Sequence, residues 1–331
     1  MGEPEQMVSM LFGFIVSQAI RALVELSVAD HLAEGPLTAA EIAQREDSAL
    51  DSTYRLMRAG VAIGLLTIDD DERFHSTALL GTVRKDNPRS LRGFALGLTN
   101  AAHWLPWGRF VTTVRTGRNQ TEEVLGAPLF EYLQQHREDA DEFTAGMQSL
   151  TAAWTTDDLI SQLDTDGVGL TVDVGGRDGA LTRRLQRDNP ALRGIVFDRP
   201  DVAQALRSEI ADQRTDVVGG DFFEALPAAD LYTLKFILHD WDDESCVRIL
   251  RCCRNSMEPG ARVAIIDFLV DSHERDVTAL MDLNMLTVPG GRERTLDEVD
   301  ALLTKAGLVR SAVRTSSDSP QRIVEAVATA P

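Results

Sequence analysis

From residue 170 to residue 268 the chain alternates short apolar runs with amphipathic ones, and this alternation narrows the possible folds more than any other feature. Leu170-Thr171-Val172-Asp173-Val174 reads as a strand, and residues 180–188 read as a helix that stops at Asn189-Pro190. Strand 194–197, helix 202–211, strand 215–218, strand 231–234, helix 244–257 and strand 262–268 follow. A tail offers helix 296–306 and strands 308–315 and 323–328. Strands separated by helices pair in parallel through crossovers, because a hairpin cannot connect parallel neighbours. The expected class is therefore α/β, with a Rossmann-like doubly wound sheet. Such a sheet binds ligands at the carboxyl ends of its strands, so the first strand–turn–helix is the place to look.

That turn reads Asp173-Val174-Gly175-Gly176-Arg177-Asp178-Gly179. A dinucleotide fingerprint needs glycine at i, i+2 and i+5. Counted from Gly175, the second and third of those positions hold Arg177 and Ala180. What remains is an acid two residues before Gly175, with Gly179 four residues beyond it. An acidic strand end repels phosphate and suits a cationic, amino-bearing ligand, while glycine lets the backbone approach closely. A sulfonium amino acid such as S-adenosylmethionine has that chemistry; a tight turn with no ligand is the plain alternative. The second strand ends in Asp198, which can accept from both ribose hydroxyls or simply head the helix beginning at Pro200. After the third strand, Gly219-Gly220-Asp221-Phe222 offers a carboxylate for an adenine amino group and a ring for its face.

The first third is helical in pattern. Val8, Leu11, Phe12, Ile15, Val16, Ala19, Ile20, Leu23, Val24 and Leu26 fall at helical spacing, and Met10 and Phe14 widen the apolar face. A face that broad needs two partners, and the second can be another subunit. Thr38 and Glu41 form a capping box, a helix follows over 51–63, and strand-like pieces flank Asp69-Asp70-Asp71. This is the outline of a winged helix. A DNA-binding regulator is the rival reading, but residues 1–76 carry five arginines, no lysine and thirteen acids, and the whole chain has a formal charge of −19. Phosphate binding needs a basic face, so nucleic acid is not expected as a partner.

Residues 7–32 contain Gln18, Arg21, Glu25 and Asp30 and follow no basic region, so neither a membrane span nor a secretory signal is expected. The three cysteines, Cys246, Cys252 and Cys253, lack ligand spacing and read as reduced thiols of a cytoplasmic protein. With 331 residues, two domains, or one large and one small, are expected. The divisions are a winged-helix-like dimerisation domain over 1–95, linking helices over 96–160 that line a substrate pocket and break at Pro106, Gly117 and Pro128, and a cofactor-binding domain over 161–331. Trp104, Trp107 and Trp154 suit either a flat aromatic pocket or packing. His31, His75, His103, His136 and His273 have no catalytic context and read as structural.

Taken with Leu238-His239-Asp240-Trp241-Asp242-Asp243-Glu244 and Gly290-Gly291-Arg292-Glu293-Arg294-Thr295, these motifs resemble the S-adenosylmethionine-dependent small-molecule O-methyltransferases. The resemblance is to the caffeate and acetylserotonin type, which has many bacterial members in natural-product pathways. It extends over nearly the whole chain, including residues 16–26, which resemble the family's dimerisation helix. It implies a homodimer that binds S-adenosylmethionine, releases S-adenosylhomocysteine, uses no metal and methylates a hydroxylated aromatic small molecule. By resemblance, Asp173, Gly175 and Gly179 line the methionine end of the cofactor, Asp198 holds the ribose, and Asp221, Phe222 and Lys235 surround the adenine. His239 is the catalytic base, oriented by Asp267 and Glu293. Phe143 and Met147 line the substrate pocket, with Trp154, Asp240 and Asn284 as further acceptor contacts. Two positions depart from the family pattern: Arg177 replaces a glycine of the turn, and Asp267 is one methylene shorter than the usual Glu. Some relatives keep this fold and cofactor for hydroxylation, decarboxylation or cyclisation, which is the alternative activity.

Overall fold

The apolar period of residues 8–26 does not form one helix. The chain runs as Glu3–Leu11, turns at Phe12, resumes as Gly13–Glu25, and breaks again at Ser27 in a left-handed conformation with φ of 45°. The structure, a computed structural model, describes residues 2–271 and 277–329, so His273 lies outside the described residues. These fall into two compact units, Met1–Arg109 with Thr121–Ala153, and Phe110–Gln120 with Trp154–Pro331.

In the first unit, Leu23 and Val24 enter a core with Val28, Ile42, Met57, Leu66 and Phe74. The first helix buries none of its residues, and Met7, Met10, Leu11, Phe12 and Phe14 are all exposed. Thr38 and Glu41 form the expected capping box, with the Glu41 carboxylate 2.7 Å from the Thr38 N–H. Strands β1 (Leu66–Ile68) and β2 (Phe74–Ser76) form the wing-like hairpin around the acidic turn. Arg21 donates to the Leu96 carbonyl at 2.7 Å and to Glu142 at 2.9 Å, tying helix Gly13–Glu25 to helices Arg92–Thr99 and Arg137–Trp154. The last two cross closely because Gly93 and Gly97 face Gly146; a Cβ on Gly93 would overlap the Ala145 carbonyl. Among the described residues no single helix is long and apolar enough to cross a membrane, although Glu3–Leu11 and Gly13–Glu25 together, bent by 47°, have the length and composition.

The second unit is built on β3 (Leu170–Val174), β4 (Arg193–Asp198), β5 (Thr215–Gly219), β6 (Ala229–Lys235), β7 (Met257–Phe268), β8 (Leu308–Ser316) and β9 (Ser319–Ala328). Their order is β5-β4-β3-β6-β7-β9-β8, and β9 alone among these seven strands runs opposite to the rest, pairing antiparallel with both β7 and β8. Val172, Val196, Leu234, Val263 and Ile265 are buried, as a sheet covered on both faces requires. Strand order reverses beside β3, between β4 and β6, and in sheets of this kind ligands bind at the carboxyl ends of such a switch point. The helices at Ala180–Asp188 and Leu296–Ala306 have the expected limits. Several limits differ from the sequence reading: β6 begins at Ala229 rather than 231, β7 at Met257 rather than 262 and β9 at Ser319 rather than 323, and a helix runs over Thr278–Thr287 where none was expected.

Candidate active site

The glycine turn is organised from beneath by Asp173. That side chain is buried, with Oδ1 accepting from the Thr233 hydroxyl at 3.0 Å and Oδ2 from the Thr182 hydroxyl at 3.2 Å. Burial pushes its pKa up to about 6, against the pull of Lys235. Its carboxylate fills the space above Gly176, where an added Cβ would come within 2.8 Å of it. The acid and that glycine are therefore one feature, and Gly176 was not singled out from the sequence. Gly175 and Gly179 both have positive φ, and Gly179 leads directly into helix Ala180–Asp188.

Arg177 is exposed and sits at φ 43°, a conformation that a glycine adopts without strain. Its backbone N–H donates to Asp198 Oδ2 at 3.1 Å, while Asp198 Oδ1 accepts from Arg199 at 2.8 Å. Each Asp198 oxygen thus holds one N–H and keeps a lone pair. Asp178 Oδ1 accepts from the Ala180 N–H at 3.1 Å, which places a carboxylate on the first turn of that helix. Asp221 caps its own loop through the Phe223 N–H, and Phe222 and Phe223 stand edge-on to Trp241 at ring-centre distances of 5.9 and 4.8 Å. Lys235 is half-buried at the end of β6, where desolvation lowers its pKa against the field of Asp173.

Beyond Lys235, Phe236 adopts φ 56° and a 3-10 turn, Leu238–Asp240, delivers His239. The imidazole Nδ1 lies 2.9 Å from Glu293 Oε1 and 3.7 Å from Asp267 Oδ1, and Nε2 lies 3.7 Å from Asp240 Oδ1. Only 13% of the His239 side chain is exposed. Burial disfavours its charged form, but Asp267, Glu293 and Asp240 outweigh burial and push the pKa up to about 10. Burial holds Asp267 well above the usual carboxylate range, with His239 pulling the other way, and burial likewise raises Asp240. Asp267 Oδ1, Glu293 Oε2 and Asn284 Oδ1 are buried without a hydrogen-bond partner among the described residues. His239, Asp267 and Glu293 each offer a ligand atom within 4.8 Å of the others, a spacing a cation could use. The 2.9 Å contact is, however, an ordinary N–H···O length, and a proton on Nδ1 satisfies it.

The Gly290-to-Thr295 turn grips the His239 turn. Arg292 N–H donates to the His239 carbonyl at 2.8 Å. Buried Arg294 donates to the Leu238 and Trp241 carbonyls, each at 2.8 Å, and to Asp243. Asp282 accepts from the Glu293 N–H at 2.9 Å, and Val270 N–H bonds the Arg294 carbonyl at 3.0 Å, extending β7 toward the turn. Arg294 and Gly291 went unremarked in the sequence, although they flank Glu293 in its own motif.

The structure thus brings His239, Asp267, Glu293 and Asp240 into one cluster, and Asp173, Gly175, Gly179 and Asp198 into one turn. Trp154 packs edge-on to Phe268 at 5.3 Å. Phe143 and Met147 belong to the first unit, where Phe143 stacks on His103 at 5.7 Å and meets Phe130 edge-on at 6.3 Å. His103 is buried with Nδ1 lacking a hydrogen-bond partner among the described residues, and burial lowers its pKa to about 4.

Residues 107–309 match the O-methyltransferase domain and residues 8–82 the O-methyltransferase dimerisation domain. The chain belongs to the O-methyltransferase family. The O-methyltransferase SfmM3 of Streptomyces lavendulae is 34% identical, covering 90% of this chain and 92% of that protein. The solved structure of the mitomycin 7-O-methyltransferase MmcR superposes with a TM-score of 0.90 at 32% identity, covering 98% of each chain. Human N-acetylserotonin methyltransferase, solved with S-adenosylmethionine, gives 0.89 at 28% identity over 100% of this chain and 99% of that one. The cofactor of this O-methyltransferase is S-adenosylmethionine. The turn fits it: Asp178 occupies the helix N-terminus that a pyrophosphate would need, and acids at 173, 178 and 198 suit a cationic amino-acid nucleoside.

Proposed function

We propose that this O-methyltransferase methylates a hydroxyl of an aromatic small molecule, with His239 as general base. The observation that carries this reading is the imidazole anchored through Nδ1 to buried Glu293, which commits Nε2 as the nitrogen that takes a proton. A neutral phenol is a poor nucleophile, since its pKa is near 10. When bound, S-adenosylmethionine supplies an electrophilic methyl carbon and a positive charge that disfavours an imidazolium nearby. Neutral His239 takes the hydroxyl proton as oxygen attacks, while Glu293 and Asp267 orient the ring and stabilise the charge it gains. Phe143, Met147, Trp154 and Asn284 are the proposed acceptor contacts, with Asp240 beside Nε2. Asp173, Gly175 and Gly179 would hold the methionine end of the cofactor, and Asp221, Phe222 and Lys235 the adenine. Incubation with labelled cofactor and a panel of hydroxylated aromatics tests the reading by mass spectrometry, through a product heavier by one CH₂. No labelled product from any phenol would overturn it.

The proposed role of Asp198 rests on its two free lone pairs at the end of β4, suited to two ribose hydroxyls. Asp198→Ala should weaken S-adenosylmethionine binding by roughly 1.5–3 kcal/mol, the range for hydrogen bonds to a charged group. Calorimetry showing unchanged affinity would remove Asp198 from the site.

The matched dimerisation domain supports a homodimer. We place the subunit contact on the exposed apolar side chains between Met7 and Ile15, within the 1–95 dimerisation region. The linking helices of 96–160 would line the acceptor pocket, and 161–331 would bind the cofactor. Deleting residues 1–15 should convert the dimer to monomer or aggregate, read by light scattering, and reduce turnover. A monodisperse, fully active truncated dimer would contradict this placement.

A further inference from the structure

We propose that Phe236 is a positioning residue for His239, its ring lying along the imidazole so as to fix the plane of the base and favour its charged form. A large side chain in the left-handed region is strained, and such strain persists only where the surroundings enforce it. Phe236 sits at φ 56°, at the point where β6 gives way to the turn carrying His239. Its N–H is held by the Ile266 carbonyl at 3.2 Å. Its ring is nearly parallel to the imidazole, with an interplanar angle of 14° and centroids 5.4 Å apart. On the sheet side Phe268 backs it at 5.4 Å, and Phe268 is in turn met edge-on by Trp154.

The bond from Nδ1 to Glu293 holds one edge of the imidazole, and χ1 and χ2 can still let the ring plane tilt while that contact is kept. A flat neighbour removes this freedom, so bond and stack together set the direction of Nε2. An aromatic face also attracts a cation, so the stack favours imidazolium over imidazole. Other charged groups act on the same ring: Glu293, with Asp282 behind it, Asp267 from β7, Asp240 on its own turn, Lys235 at the end of β6, and Arg294 on the adjacent carbonyls. The Lys235 ammonium lies 4.9 Å from the Phe236 ring centre, so the ring joins the two cations of this strand end.

The inference rests on His239 being the base, but its first readout does not depend on activity. Phe236→Leu keeps bulk and burial and removes the aromatic face. Labelled imidazole NMR, with the His239 resonance assigned by its absence in His239→Gln, should show the imidazolium pKa falling by roughly half a unit or more. The acid limb of the turnover–pH profile should move the same way, with turnover at the plateau reduced several-fold. Phe236→Trp should restore both. An unchanged or raised imidazole pKa in Phe236→Leu would overturn the proposal, the raised value showing that the ring acts only by excluding water. Failure of Phe236→Trp to restore either readout would overturn it as well. If the NMR shift appears while His239→Gln keeps full turnover, the stacking stands and the reading of His239 as base fails.

Discussion

His239→Gln should lower the turnover number by about 10² or more at pH 7, with S-adenosylmethionine affinity nearly intact. Glutamine preserves bulk and polarity but has no pKa in the working range, so it removes only proton acceptance. The wild-type profile carries the sign of the charge cluster. Because Asp267, Glu293 and Asp240 raise the His239 pKa despite burial, activity should fall on acidification with a limb above the reference of about 6.5. The rate should climb from neutral toward alkaline pH as the imidazolium loses its proton. In the variant that climb should be absent until the acceptor ionises by itself, so the deficit shrinks at high pH. Steady-state kinetics with an acceptor of pKa above about 9, together with calorimetry of cofactor binding, make the measurement. Wild-type turnover in His239→Gln at pH 7 would show that another group is the base.

Gly291→Ala should be nearly as damaging, by a different route. A Cβ at Gly291 would overlap the His239 carbonyl oxygen and lie 3.0 Å from Asp240 Cα, so the backbone atoms of the two turns must separate. Overpacking of this kind costs about 1–3 kcal/mol, and displacing a catalytic group by ~1 Å can cost about 10² in rate. Both losses are expected, in urea unfolding and in turnover. Gly81→Ala is the control: nothing lies within 4 Å of its added Cβ, and it should be close to neutral in both assays. If Gly291→Ala matches Gly81→Ala in stability and turnover, the coupling between the two turns is refuted.

The central α/β pattern was legible because the buried strands announce themselves as apolar runs and the turns carry Gly and Asp at fixed offsets. Helix Ala180–Asp188 has one polar face and a glycine at its head, and its limits could be read directly. Helix Thr278–Thr287 was missed because its leucines, methionines and threonines run along it without a clear period. The start of β7 was missed because Pro259 and Gly260 read as a turn. At the N-terminus the apolar period continues through Phe12, and it hides the one local mark of the break, Gly13, which begins the second helix. The same holds for the site. His239, Glu293 and Asp267 stand in recognisable motifs, yet the guanidinium of Arg294 reaches carbonyls that lie more than fifty residues earlier in the chain. A left-handed phenylalanine at 236 leaves no trace in residue type. Contacts distant in sequence and dihedral angles set by tertiary packing are what pattern alone does not carry.

The carboxylate at the head of helix Ala180–Asp188 also bears on competition inside a cell. Adenosine is the common handle of many abundant metabolites, and ATP or a nicotinamide dinucleotide presents the same base and ribose as the methyl donor. A pocket that recognised adenosine alone would be filled by the commonest of these. Here Asp178 already accepts from the Ala180 N–H, on the helix head where a phosphate would otherwise sit, and the buried Asp173 carboxylate lies beneath the same turn. On the proposed seating of the donor at this turn, nucleotides would meet repulsion where the donor meets attraction. The discrimination comes from the charge of the tail rather than the shape of the head, so it should weaken as salt screens the turn, most of all at exposed Asp178.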